Sequence, residues 1–208
     1  MQVLAVSTPR NSDETQLLLK QHRLRAEVFS GRLGWNVEVA DDLEFDVFDE
    51  LPPTYILAVA ATGHVAGCAR LLPALGPTMA QDVFPSLLRD GNLRAHSAMI
   101  ESSRFCVDTN LREGRGEGSI HKTTLAMLAG ITEWCMANRY TEIVTVTDLR
   151  FERILSRVSW PLRRLAAPMK VGVTTAVAGI LQADQDTFQR LRPANYRSLI
   201  TTPVSQAA

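Results

Sequence analysis

The segment from Met99 to Asp108 places two opposite charges inside a run that otherwise has the composition of a buried β-strand. Glu101 and Arg104 stand in its middle, and burial of a charge is costly unless the charge is paired. Residues three apart in a regular strand point to opposite faces. The two side chains can therefore share a site only if the strand bulges near Ser102–Ser103 or Arg104 reaches around an edge. Since bulges often lie beside active sites, we expect this strand to line a reaction centre, with a single ion pair at a strand end as the alternative.

The composition argues against several classes of protein. The 208 residues carry 22 Lys+Arg and 22 Asp+Glu, so no net charge attracts nucleic acid or an anionic membrane. Three cysteines (Cys68, Cys106 and Cys135) are far apart in apolar runs, which suits reduced, buried thiols better than disulfides or a metal site. Neither an 18-residue apolar run nor a signal-peptide pattern is present. We expect a cytoplasmic protein with no membrane insertion, formed as one domain over residues 1–208 with a loosely structured tail after about 193.

Hydrophobic periodicity predicts a mixture of helices and strands. A first helix from Thr15 to about Phe29, with Ser12 as its N-cap, stacks Arg25 and Phe29 on one face. The other expected elements are a hairpin of Thr54–Ala61 and Val65–Leu72, a short helix within Met79–Leu88, a long helix at Ile120–Asn138, a strand at Thr141–Thr147, a helix from an Asp148 cap through Val158, and a last strand at Val171–Leu181. This order predicts an α/β sandwich in which helices cover a mixed sheet.

Three charged segments leave alternatives open. The run Asp41–Glu50 holds six carboxylates interleaved with apolar residues, which fits either an acidic surface loop or a cation-binding rim. The glycine-rich loop Arg112–Gly118 could cradle a phosphate at the following helix N-terminus, but its spacing favours a flexible connector. Arg153 and Arg157 lie one helical turn apart and form either a solvated face or a docking site for an acidic partner.

Charged residues in or beside apolar segments are too numerous to be buried separately. They are Arg25, Arg70, Arg104, Glu44, Asp46, Asp49 and Glu101. A mutual network is the economical solution, and networks in clefts are candidate functional sites. Such a network can hold a zwitterion, with carboxylates around the cation and an arginine on the carboxylate. No nucleophilic triad is visible, so we interpret Glu101 as a general base toward an amine in a transferase-like or ligase-like site.

Several motifs, taken in order along the chain, carry a resemblance to a known family. They are Leu24-Arg25-x-x-Val28-Phe29, Arg32-Leu33-Gly34-Trp35, Glu44-x-Asp46-x-x-Asp49, Gly67-Cys68-x-Arg70-Leu71-Leu72-Pro73, Phe84-Pro85, Glu101-Ser-Ser-Arg104-Phe105 and Val144-Thr-Val-Thr147. Together they resemble the LuxI-type acyl-homoserine lactone synthases, and the segments around Glu101 and after Thr147 look most like the TraI-type branch.

The resemblance implies a three-layer fold like that of the GNAT N-acyltransferases, with a mixed, splayed central sheet. It implies S-adenosylmethionine and an acyl-thioester, on acyl carrier protein or CoA, as substrates, with no cofactor and no metal. On this basis the expected catalytic residues are Glu101, Asp46, Asp49 and Arg104. The expected substrate-binding residues are Arg25, Phe29, Trp35, Glu44, Arg70, Phe84, Ser103, Phe105, Thr145 and Thr147. Arg153 and Arg157 match basic positions associated with carrier docking.

Two other functions compete with this interpretation. A GNAT-type enzyme could acylate a different small amine, although the acidic run and the Trp35 motif argue against it. A non-catalytic module could bind a thioester or a carrier, although the expected network of buried charges argues against that.

Overall fold

The computed structural model describes residues 1–111 and 120–200. The Arg112–Gly118 loop predicted as a connector or phosphate cradle lies outside the described residues. The strands are β1 (Gln2–Val6), β2 (Val39–Ala40), β3 (Leu43–Glu44), β4 (Thr54–Val59), β5 (Val65–Pro73), β6 (Met99–Val107), β7 (Glu142–Asp148), β8 (Arg163–Arg164), β9 (Met169–Val171) and β10 (Thr174–Gln182). The α-helices are α1 (Ser12–Arg25), α2 (Met79–Asp82), α3 (Lys122–Ala137), α4 (Leu149–Arg157) and α5 (Gln185–Leu191).

One mixed sheet runs through the centre of the fold in the order β1-β4-β5-β6-β7-β10-β8, with β9 also paired to β10. The predicted hairpin of β4 and β5 is confirmed. β1 pairs antiparallel with β4, and β6 pairs antiparallel with β5. In contrast, β6 and β7 run parallel because the long helix α3 connects them. A two-stranded ribbon of β2 and β3 carries the acidic run beside this sheet.

Helices cover both faces of the sheet, which confirms the predicted three-layer sandwich. On one face α1 packs Leu24 against β4 and β5 through Tyr55, Leu57 and Cys68. On the other face α3 forms the largest apolar cluster, to which α4 and α5 contribute Leu155 and Leu191. Residues of one strand alternate between the two clusters, as the two-residue repeat of a strand requires.

The sheet splays between β6 and β7, as the family resemblance implies. Only Met99–Glu101 of β6 pairs with β7, and the Thr145 hydroxyl donates to the Ser102 carbonyl at 2.7 Å just beyond the last pair. After that point β7 stays with β10 and β6 stays with β5. A gap therefore opens between the two parallel strands at their C-terminal ends.

A β-bulge lies in β6, which confirms the parity argument but shifts its position. Arg70 faces Ser103 and Cys68 faces Cys106, so Arg104 and Phe105 together oppose one residue of β5. Arg104 has φ of +53°, in the left-handed region. The extra residue turns Arg104 to the α1 face, whereas Phe105 packs against the α3 face. The bulge was expected near Ser102–Ser103 and lies just after them.

The cysteines are buried free thiols, as expected. Cys68 and Cys106, although far apart in sequence, meet across β5 and β6 with their sulfurs 3.4 Å apart. The third, Cys135, lies in the cluster around α3.

Three local features differ from the predictions. The N-cap of α1 is Asn11 rather than Ser12, because the Asn11 side chain accepts from the Glu14 N–H. A π-helix at Ala26–Arg32 continues α1 past the expected end. The helix within Met79–Leu88 stops at Asp82, and Pro85 begins a separate 3-10 turn, since proline suits a first turn but lacks the N–H of a helix interior.

The chain after residue 193 is attached to the sheet over its described part, in contrast to the predicted loose tail. The Val3 N–H donates to the Arg197 carbonyl at 2.8 Å, and the Leu199 N–H donates to the Val3 carbonyl at 2.7 Å. Tyr196 also donates to Glu133 of α3. Within residues 1–111 and 120–200, none of the helices combines the length and apolar character that crossing a membrane requires.

Gly179 allows the edge of the sheet to pack closely, so its replacement tests this part of the fold. A Cβ at this position would lie 2.8 Å from Leu162 Cδ2 and 2.9 Å from the Arg163 carbonyl. We expect Gly179→Ala to lower the free energy of unfolding by about 1–3 kcal/mol, measured by urea denaturation. Gly76→Ala is the matched control, since its Cβ would meet the Pro73 carbonyl at an ordinary 3.6 Å. Equal stability of both variants would contradict this account.

Candidate active site

Three arginines and three carboxylates interlock on the α1 face of the sheet. The arginines come from α1, β5 and the bulge of β6, and the carboxylates come from the acidic run. Of the seven charges predicted to form one network, these six do so. Glu101 is the seventh and is held separately.

Arg25 is buried and binds two carboxylates. Its Nη1 and Nη2 donate to the two oxygens of Asp49 at 2.9 and 2.8 Å, and its Nε donates to Glu44. Burial opposes the charged guanidinium, but Asp49 and Glu44 raise the pKa of Arg25 above its ordinary value. This bidentate geometry is the strong form of an arginine–carboxylate pair.

Arg70 joins the acidic run to β6. It donates to both oxygens of Asp46, to Asp49 at 2.8 Å and to the Ser103 hydroxyl at 3.2 Å. The ring of Phe48 lies 5.4 Å from its guanidinium carbon. Arg70 therefore holds the acidic run against the strand that contains the bulge.

Arg104 completes the network from the bulge. Its Nε donates to Glu44 at 3.0 Å, and its Nη2 lies 2.7 Å from Asp46. Its side chain is 12% exposed, whereas those of Arg25 and Arg70 are 0% exposed. Among the three guanidiniums, that of Arg104 is therefore the one a substrate can reach.

The acidic run is folded so that Glu44, Asp46 and Asp49 face the network, whereas its other carboxylates are exposed. Asp46 and Asp49 form a reciprocal cap, in which each side chain accepts from a backbone N–H at 2.9 Å. The His22 ring contacts the Glu44 carbonyl through Nδ1 at 2.8 Å and stacks on Phe45. Burial lowers the pKa of His22 to about 4, so this contact is made by a neutral ring. The middle of the run therefore forms a wall of the network, and the ends of the run are exposed.

The network is electrically balanced, because three positive and three negative groups compensate one another. Burial by itself would raise the pKa of Asp49, but its bonds to Arg25 and the charge of Arg70 hold that pKa well below its usual range. Tyr55 of β4 also donates to Asp49 at 2.7 Å. These carboxylates are fully engaged, so the structure gives Asp46 and Asp49 a role in holding the arginines.

Glu101 is bound by backbone groups instead of arginines. Its two oxygens accept from the Met79 N–H at 3.0 Å and the Ala80 N–H at 2.7 Å, at the start of α2. It is 1% exposed, and burial raises its pKa above the ordinary value even though both bonds favour the charged form. A carboxylate with a raised pKa beside a charged cleft is suited to accept a proton.

Met79 links Glu101 to the network, which answers the question of whether Glu101 and Arg104 share a site. Its N–H binds Glu101, and its sulfur lies 3.2 Å from Arg70 Nη2 and 3.5 Å from Arg104 Nη1. Glu101 and Arg104 are thus on the same face of β6, and Met79 contacts both of them. The shared-site prediction is confirmed with Met79 between them.

Aromatic residues surround the network on two sides. Phe29 lies under Arg104, with 5.6 Å from the guanidinium carbon to the ring centre, and stacks on the half-buried Trp35 at 5.3 Å. Phe84 packs on the other side with Phe48 and Met79. Phe84 also reaches the cluster of Leu87 and Leu88, so the structure places it in packing around α2.

The remaining predicted substrate-binding residues lie at the gap in the sheet. Thr145 and Thr147 are half-buried on β7, just beyond Val144, which is the last residue of β7 that pairs with β6. Phe105 packs against Phe151 of α4, with ring centres 4.7 Å apart. The gap therefore connects the charged network on the α1 face with an apolar lining on the α3 face.

The two arginines predicted to dock a carrier, Arg153 and Arg157, are exposed on α4. They lie apart from the network, on a helix that begins with the Asp148 cap at the splayed end of β7. Sequence reasoning missed Tyr55, Met79 and Ala80. The alternation in β4 could have identified Tyr55, but backbone donors such as the Ala80 N–H leave no mark in a sequence.

Charge balance in the network can be tested with a double-mutant cycle. We expect Glu44→Gln to lower the free energy of unfolding by about 3–5 kcal/mol, because it leaves a buried positive charge uncompensated. Arg104→Gln in the same chain restores neutrality, so the double variant should lose less than the sum of the two single losses. Urea denaturation measures all three, with the exposed Glu50→Gln as the control. Strict additivity would show that the charges do not act as one network.

Comparison with known proteins agrees with this architecture. The family model described as "Autoinducer synthase" matches residues 10–191. A protein of Sinorhizobium fredii named "Probable acyl-homoserine-lactone synthase" is 66% identical over 100% of both chains. An "Acyl-homoserine-lactone synthase" of Rhizobium radiobacter is 54% identical over 96% of this chain and 94% of its own. These genera agree with the TraI-type branch that the sequence predicts.

Solved structures show the same fold. The acyl-homoserine-lactone synthase LasI superposes with a TM-score of 0.76 at 30% identity, over 91% of this chain and 92% of its own. BjaI, a CoA-dependent synthase solved with SAM and isopentyl-CoA, superposes at 0.83 and 21% identity over 97% and 94%. An acyl-CoA N-acyltransferase of Pseudomonas aeruginosa gives 0.53 at 14% identity over 88% and 98%, which confirms the GNAT-like fold. The chain belongs to the autoinducer synthase family, the acyl-homoserine-lactone synthases.

Proposed function

We propose that this acyl-homoserine-lactone synthase transfers a fatty acyl group from an acyl-thioester to the amine of S-adenosylmethionine. Lactone closure then releases methylthioadenosine, and the product serves as a quorum-sensing signal. The observation that carries this proposal is the position of Arg104. The bulge turns it toward a charged site at the place where β6 and β7 part, with the buried Glu101 close by. S-adenosylmethionine is a substrate in this scheme and not a cofactor.

The α1 side of the gap suits S-adenosylmethionine. Arg104 is the least buried guanidinium of the network, and its Nη1 has only the weak acceptor sulfur of Met79 among the described residues. It can therefore bind the substrate carboxylate. The stacked rings of Phe29 and Trp35 beside it provide an aromatic surface for the sulfonium or the adenine. Arg25, Arg70, Glu44, Asp46 and Asp49 hold this surface in place.

The gap itself suits the acyl-thioester. The missing pairs between β6 and β7 leave room for an extended chain at the sheet. Ser103, Phe105, Thr145 and Thr147 line this region, and Phe84 packs beside α2. The amine on the α1 side then meets the thioester carbonyl in the gap, with the acyl chain toward the α3 side.

Acyl transfer begins with loss of a proton from the substrate amine, whose pKa in water is about 8. Glu101 accepts this proton directly or through a water molecule, and the amine attacks the thioester carbonyl. Backbone N–H groups on the unpaired edge of β6 stabilise the oxyanion, an effect worth about 3–4 kcal/mol in comparable sites. The C–S bond then breaks and the thiolate leaves.

Lactone closure follows within the acylated substrate. The substrate carboxylate attacks the γ-carbon, a C–O bond forms, and the C–S bond to the sulfonium breaks with release of neutral methylthioadenosine. Because the leaving group is excellent, positioning by Arg104 and the aromatic rings is sufficient.

Acyl carrier protein or CoA presents the thioester. The CoA-dependent synthase BjaI is described with isopentyl-CoA bound, which supports a thioester of this class. Arg153 and Arg157 are exposed on the helix that starts at the splayed end of β7, so an acidic carrier docked there faces the gap. We place the enzyme in the cytoplasm, where both substrates are made, and treat residues 1–208 as one domain.

The general base can be tested with Glu101→Gln. We expect release of methylthioadenosine from S-adenosylmethionine and an acyl-thioester to slow by about 100-fold or more, because the amide cannot accept the proton. The dissociation constant for S-adenosylmethionine should change by no more than a few fold. Loss of binding together with a large fall in melting temperature would instead make Glu101 a structural cap of α2. Release of acylated amine without methylthioadenosine by the native protein would overturn the proposed function.

Carrier docking can be tested by charge reversal on α4. We expect Arg153→Glu with Arg157→Glu to raise KM for acyl carrier protein by about tenfold or more and to leave KM for an acyl-pantetheine mimic within about twofold, because only the carrier meets both charges. The control reverses two exposed arginines on other helices, Arg23→Glu with Arg190→Glu. Equal losses with both donors would remove α4 from carrier docking.

A further inference from the structure

A second cleft lies on the same face of the sheet as the charged network, beyond α2. It has a volume of about 360 Å³. Its lining comes from the stretch 89–94, from the stretch 163–165, and from β6, β7 and β10. Its apolar part is formed by Leu93, Met99, Leu165 and Ile180. Met99 and Ile180 also pack against Ala80 of α2, which separates this cleft from the network. None of its lining residues has a part in the proposed reaction.

Four arginines line this cleft: Arg89, Arg94, Arg163 and Arg164. The two on β8 already have partners, since Arg164 binds Glu152 through two nitrogens and Arg163 lies 3.4 Å from Glu142. Arg89 and Arg94 have no carboxylate partner and no side-chain hydrogen bond within residues 1–111 and 120–200. Glu142, the acidic residue of the lining, is also held by His96 and Gln182. The cleft thus keeps two positive charges that the described chain does not balance.

The stretch that carries Arg89 and Arg94 is fixed to α2. Gln81 donates from Nε2 to the Gly91 carbonyl at 3.1 Å, and its Oε1 accepts from the Leu93 N–H at 2.7 Å. Both bonds lie between the two arginines in sequence. The wall is therefore preformed, which reduces the entropy that a ligand must offset.

We propose that this cleft binds a small organic anion with an apolar body. Arg89 and Arg94 take its phosphate or carboxylate group, and Leu93, Leu165 and Ile180 contact the apolar part. The volume lies within the range of about 300–1,000 Å³ that is typical of small-molecule sites, and an apolar lining with a few converging polar groups is their usual composition. Guanidiniums without a carboxylate partner favour phosphate and carboxylate. This site is separate from the substrate sites proposed above.

The test uses the full chain and three probes, namely hexyl phosphate, hexanoate and inorganic phosphate, with neutral hexanol as a further comparison. Calorimetry should give tighter binding for at least one of the two alkyl anions than for inorganic phosphate or hexanol, by about tenfold or more. Whichever alkyl anion binds more tightly identifies the head group. In methyl NMR spectra the signals of Leu93 and Leu165 should shift on binding.

The deciding variant is Arg89→Ala with Arg94→Ala. It should weaken binding of the preferred alkyl anion by at least tenfold and leave the turnover number within about twofold, since neither residue contacts the reaction site. Arg153→Ala with Arg157→Ala, a matched pair on α4, should bind the probe as the native chain does. Unchanged binding after loss of Arg89 and Arg94, or binding of inorganic phosphate or hexanol as tight as that of both alkyl anions, would overturn the proposal.

Discussion

The pairing of three arginines, two of them buried and Arg104 partly exposed, with three carboxylates is the interaction on which the rest of the structure depends. Arg25, Arg70 and Arg104 come from three different elements, and each is paired by residues of the acidic run. A single unpaired member would leave a charge in the interior at a cost of about 3–5 kcal/mol. The set is therefore satisfied only when α1, the acidic run, β5 and β6 are all in place. Buried ion pairs add little net stability compared with apolar packing, so their value here lies in fixing one arrangement of the elements around the substrate site.

The bulge in β6 is the backbone counterpart of this network. A regular strand would point Arg104 at the apolar α3 cluster and would turn Phe105 toward the charges. One extra residue reverses both outcomes. A left-handed conformation at a residue other than glycine costs about 1–2 kcal/mol, and the bonds from Arg104 to Glu44 and Asp46 compensate for it. The bulge at Arg104 and Phe105 lies in the part of β6 that no longer pairs with β7, so one irregular stretch both places the arginine and borders the gap.

Much of this site could be predicted from the sequence because burial imposes strict rules on charge. Arg70 lies in an apolar hairpin and Glu44 in an acidic run interleaved with apolar residues, so each was expected to form a buried ion pair. Both do so. Parity demanded a bulge, but its position depends on how β5 aligns with β6, which no local pattern encodes. The partners of Glu101 could not be predicted for a similar reason, since they are backbone N–H groups of α2. The attachment of the chain end to β1 rests on two backbone bonds without periodicity, so composition suggested a loose tail.

The separation of Glu101 from the arginines has a chemical consequence. A carboxylate bound by a guanidinium, as Asp49 is, has its pKa held low and is a poor proton acceptor. The N–H groups of Met79 and Ala80 orient Glu101 without a full positive charge, and burial keeps its pKa raised. Met79 binds Glu101 through its backbone N–H and contacts Arg70 and Arg104 through its sulfur. The fold thus places chemically similar carboxylates in different surroundings: those on arginines hold the network together, and the one on backbone groups keeps the raised pKa that suits the proposed general base.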